Sequence, residues 1–85
     1  MTYADYVREY CKLHYIEPAR TRGDATVSIR AGDVHSAMGF KNRMPLVCSV
    51  LGATVFQALA GVERIGVTGP INGANAVFTF RLKDD

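Results

Sequence analysis

The chain lacks a long apolar run, has few cysteines and histidines, and carries little excess of either charge. Each shortage removes a class of function. No stretch approaches the ~18 consecutive apolar residues that a spanning helix needs, so no membrane association is expected. The opening residues MTYADYVREY carry charge where a secretory signal would be apolar, which predicts a cytoplasmic protein. The two cysteines, Cys11 and Cys48, show no C-x-x-C spacing and have no further cysteines with which to form a zinc quartet. They read as buried free thiols in a reducing compartment. His14 and His35 are equally short of metal-ligand spacing.

Catalytic patterns are also missing. Gly66, Gly69 and Gly73 lack the lysine and the strand-then-helix setting of a phosphate-binding loop. His35 stands two and one positions from Asp33 and Ser36, and such neighbours do not face each other on a helix. A chain of 85 residues built around one small core leaves little room for a substrate pocket. The expectation is a non-enzymatic protein with no catalytic residues, no metal and no cofactor.

What is present supports one domain. Hydrophobic residues make up 48% of the chain and charged residues 21%, enough apolar material for a single core. The net charge of +2 is too small to indicate a nucleic-acid partner, but its distribution is uneven. Between Arg20 and Arg43 stand five basic residues, Arg20, Arg22, Arg30, Lys41 and Arg43, against Asp24 and Asp33, an excess of three. The rest of the chain has five basic residues against six acidic ones.

Along the chain, Tyr3, Val7, Tyr10 and His14 recur at helical spacing, with Tyr6 and Leu13 widening the stripe. Thr2 is placed as N-cap, and Asp5 three positions on completes a capping box. The tyrosines read as large core residues with hydroxyls at the surface. Pro18 is expected to end this helix, leaving residues 17–25 as a loop. Thr26 to Arg30 alternates as a half-buried strand, with Val27 and Ile29 inward.

Ala31 to Met38 forms the next helix, with Asp33 in its first turn and Gly39 at the left-handed stop. After a short connection another helix starts near Asn42 or Arg43, with Asn42 as candidate cap and Pro45 in the first turn. Gly52 is a candidate break, after which Thr54 to Ala60 is either a continuation or a separate turn, with Val55, Phe56 and Leu59 inward. Two strands, Val62 to Thr68 and Ala76 to Leu82, flank a loop from Gly69 to Asn75 in which Asn72-Gly73 is a hairpin signal. Residues 83–85 form a charged tail expected to fray.

The stretch AGDVHSAMGFKNRMPLVCSVL, from Ala31 to Leu51, has the form of two short helices joined by a turn containing glycine. With the flanking elements in the order α-β-α-α-β-β, the chain from Tyr3 to Leu82 resembles a winged helix-turn-helix domain. The resemblance implies an α+β fold of three helices on a small antiparallel sheet. The third helix, from Arg43 onward, would be the recognition helix, and residues 69–75 would be the wing. An α+β domain with the same elements packed otherwise is the alternative.

The resemblance also implies a regulatory or targeting protein that binds double-stranded DNA. Lys41, Asn42 and Arg43 would lie at the groove, with Ser49 and Gln57 further along. Arg22 and Arg30 would touch flanking phosphates, and Asn72 and Asn75 would be the wing's polar contacts. Two features point instead to a protein-interaction or dimerisation module. Leu46 and Ala53 lie near the outward Ser49, and the wing has no lysine or arginine. Such a homodimer or adaptor would use Met44, Leu46 and Val50, or the tyrosine-bearing first helix.

Overall fold

Asp5 fixes where the chain first becomes helical. In a computed structural model describing residues 1–83, the Oγ1 of Thr2 accepts the N–H of Asp5 at 3.2 Å, and the Asp5 carboxylate accepts the N–H of Thr2 at 2.9 Å. This reciprocal capping box starts α1 (Tyr3–Cys11). Val7 and Cys11 face the core, while Tyr3 and Tyr6 are about half exposed, at 52% and 50%. The tyrosine stripe is thus not the buried face. The core line passes one position to its side, and only Tyr10 and Tyr15 pack partly against it.

Pro18 does not stop this helix. A π-helical turn, Lys12–Ile16, carries the rod into α2 (Glu17–Arg22), and the expected loop at residues 17–25 is helical to Arg22. The N–H of Glu17 reaches back five residues to the carbonyl of Lys12. This widened turn lies just before the ring that would clash with an α-helical carbonyl. Pro18 then follows at the start of α2, immediately after the widened turn. The stop comes at Gly23, with φ +77°.

β1 (Thr26–Arg30) is the expected strand, with Ile29 fully buried. It runs directly into α3 (Ala31–Ala37). The first N–H groups of α3 are satisfied by the far end of the chain: Ala31 donates to the carbonyl of Ala76 at 2.9 Å and Gly32 to that of Ala74 at 3.0 Å. A side chain at Gly32 would place its Cβ 2.7 Å from the Ala74 carbonyl oxygen, so this close approach needs glycine.

Gly39, at φ +69°, ends α3 as expected. α4 (Met44–Gly52) begins after a turn in which Asn42 takes φ +57°. Asn42 is therefore not the helix cap. It supplies the left-handed corner that asparagine tolerates, and Arg43 takes the capping position without a side-chain cap bond. α4 ends at the candidate break, Gly52, and a separate helix α5 (Thr54–Ala60) follows. In α5, Phe56 and Ala60 face inward, whereas Val55 and Leu59 are exposed, contrary to the expected inward set. A seven-residue helix has room for a single i, i+4 line on its buried side.

β2 (Val62–Thr68) and β3 (Val77–Leu82) form an antiparallel hairpin with a bulge between Arg64 and Gly66. β3 also pairs antiparallel with β1, giving the sheet order β1-β3-β2. Phe78 and Phe80 point from the central strand into the helices, and the Phe80 ring meets Phe56 edge-on at 5.4 Å. The architecture is α+β, with helices packed on one face of a small antiparallel sheet.

Arg20 ties the end of the rod to the sheet. Its guanidinium donates to the carbonyls of Ala60 and Lys83 at 2.7 Å each, and to Gly61 at 3.2 Å. Lys83 also donates its N–H to Gly61, so the start of the expected frayed tail is held, while the rest of that tail, residues 84–85, lies outside the described residues. No helix among the described residues is long and apolar enough to cross a membrane.

Candidate nucleic-acid interface

Lys41, Asn42 and Arg43 are brought together at the exposed turn between α3 and α4. Asn42 forms the left-handed corner of the turn, and Arg43 follows as the last residue before the helix. Arg43 is held twice. Its backbone N–H donates to Nε2 of His35 at 3.1 Å, and its guanidinium carbon lies 4.0 Å from the centroid of the Tyr3 ring. This is cation–π distance. Phe40 stands between the two supports, edge-on to Tyr3 and to His35 at 5.9 Å each. Nothing in the sequence spacing links Tyr3 to Arg43, forty positions apart, so Tyr3, His35 and Phe40 were not legible as parts of a site.

The other expected basic contacts are engaged internally. Arg22 pairs with Asp24 at 2.9 Å. Arg30 donates to Asp33 at 2.7 Å and to Oδ1 of Asn75 at 2.8 Å, so Arg30 and Asn75 fasten the loop between β2 and β3 to the start of α3. Gln57 accepts the N–H of Arg64 at 3.0 Å and so serves the junction of α5 and β2. Ser49 is exposed on α4, and Asn72 is exposed at the loop tip with φ +65°.

The outer side of α4 offers little else. Pro45 and Ser49 are exposed, Met44 and Leu46 are half-buried, and Val47, Cys48, Val50 and Leu51 are buried. Val50 is thus a core residue and is not available to an interface. Both cysteines are buried free thiols, and burial pushes the Cys11 thiol up to about 12. Among the described residues, no group of three or more His, Cys, Asp or Glu side chains is gathered as a metal site. Compared with protein families, curated proteins and solved structures, the chain matches none.

Proposed function

We propose that this chain is a winged helix-turn-helix module that binds double-stranded DNA through residues 41–43 and the first turn of α4. The strand order β1-β3-β2, with α3, the turn and α4 connected between β1 and the hairpin, supports the fold assignment. Residues 69–75 take the part of the wing. The two buried, unpaired cysteines support work in a reducing compartment, the cytoplasm.

One observation carries the DNA reading. The sequence has seven arginines. Six donate to carboxylates or carbonyls: Arg8 to Asp5, Arg20 to three carbonyls, Arg22 to Asp24, Arg30 to Asp33, Arg64 to the carbonyl of Gly52, and Arg81 to Glu63. Arg43, among the described residues, has no such acceptor and lies exposed beside Lys41 at a helix start. A positive group kept out of internal pairing is available to an anionic partner.

A labelled random-sequence duplex tests this. Binding is expected at low salt, falling steeply toward physiological salt as counterions are released. Arg43→Ala lowers affinity for the mixture, and Lys41→Ala lowers the salt slope by roughly 1.

The half-exposed Tyr3 and Tyr6, and an α4 surface poor in polar groups, favour a second reading, a protein-interaction or dimerisation module. Absence of duplex binding at low salt, with a stable dimer by light scattering, would sink the DNA reading and favour this one.

A further inference from the structure

We infer that Arg43 reads guanine in the major groove rather than clamping a phosphate, and that Tyr3, on a different helix, is the positioning residue that sets its plane. The inference rests on the DNA-binding reading above. A phosphate can be met by a cation from many directions, whereas the O6 and N7 acceptors of guanine are met by two N–H groups of one guanidinium lying in a defined plane.

Arg43 has the features of the second case. Its main chain is pinned by His35, and one face of its guanidinium is covered by the Tyr3 ring at 4.0 Å. Stacking occupies a face and leaves the in-plane donors free. The ring is itself fixed: Phe40 abuts its edge, and Tyr3 begins a helix whose start is locked by the Thr2–Asp5 capping box. Arg43, Tyr3, Phe40 and His35 form a closed ring of contacts drawn from α1, α3 and the turn before α4. The position is also right for base contact, since the N-terminal residues of a recognition helix are the ones that meet base edges.

The test compares a random-sequence duplex with the same pool in which every guanine is 7-deazaguanine, which removes N7 while keeping charge and pairing. The wild-type protein is expected to bind the deaza pool about fivefold more weakly or worse, part of the discrimination a bidentate pair supplies. Tyr3→Phe keeps the ring and retains this preference. Tyr3→Ala, and Tyr3→Leu, which keeps apolar bulk without the ring, lose most of the preference while still binding with a steep salt dependence. Tyr3 is half exposed, and thermal melting of each variant shows that the fold is intact.

Equal binding of both pools by the wild-type protein overturns guanine reading. A preference that survives both Tyr3→Ala and Tyr3→Leu overturns the positioning role. Failure of the wild-type protein to bind either pool at low salt is a separate result, which removes the DNA-binding reading and this inference with it.

Discussion

The ionisation of Asp5 is coupled to the start of the first helix. Three hydrogen bonds, from the Thr2 backbone N–H first, then from Arg8 and the Thr2 hydroxyl, hold its carboxyl down at about 2, below the 3.8 of a free aspartate. A group depressed in this way stabilises the folded state above its unfolded value, and that contribution is lost as pH falls through the folded value. The wild-type melting temperature should therefore drop more between about pH 4 and pH 2 than that of Asp5→Asn. Parallel curves for the two proteins would show that the capping box does not contribute as described. Thr2 and Asp5 were legible because a capping box is local, four residues long and chemically specific. Asn42 was misread because asparagine suits both an N-cap and a left-handed corner, and the choice was made by His35, seven positions earlier, whose ring takes the N–H of Arg43.

At the scale of elements, the hairpin loop is sterically tight at its first residue. Gly69 takes φ +82°, and a Cβ there would collide with the backbone of Asn75, whose carbonyl carbon would lie 2.9 Å away. Gly69→Ala should destabilise by about 2 kcal/mol or more. Gly66→Ala, with nothing within 4 Å of the added methyl, should be close to neutral. Urea unfolding of the two variants checks this, and equal midpoints would contradict the geometry. The strands were legible because alternation is a strong signal: Thr26–Arg30 and Val62–Thr68 appear with the expected bounds. The helices were less so. Pro18 reads locally as a terminator, and only the π turn before it makes it an acceptable first-turn residue. In α5, Val55 and Leu59 were expected inward on hydrophobicity alone, which cannot say how wide a buried stripe a short helix needs.

For the whole molecule, a Cα radius of gyration of 11.8 Å matches the roughly 12 Å expected of a folded chain this long. Its core is continuous, running from Val7 and Cys11 through Ile29, Val34 and Leu51 to Phe80. Cys11 is fully buried with its thiol near pKa 12, so it is neither accessible nor ionised near neutral pH. Alkylation at about pH 8 should modify Cys11 only through unfolding of this core, accelerating by orders of magnitude once denaturant unfolds the chain. Rapid modification of the native protein, located by mass spectrometry, would mean that α1 detaches locally. The candidate site was legible only as a basic turn. Its supports come from α1 and α3, and packing across three elements leaves no periodic trace in sequence.

The π turn has a consequence for how the molecule tolerates change. The buried line along the rod runs Val7, Cys11, Ile16, Ala19, with a step of five where the turn lies. The two halves of the rod are therefore cut in different phase, each fitted to its own surroundings. A drift of one residue within Lys12–Ile16 would swing Arg20 off the carbonyls it holds, by about 100°, yet leave Tyr3 beneath the Arg43 guanidinium. The rod thus separates the Tyr3 end from repacking at the Arg20 end.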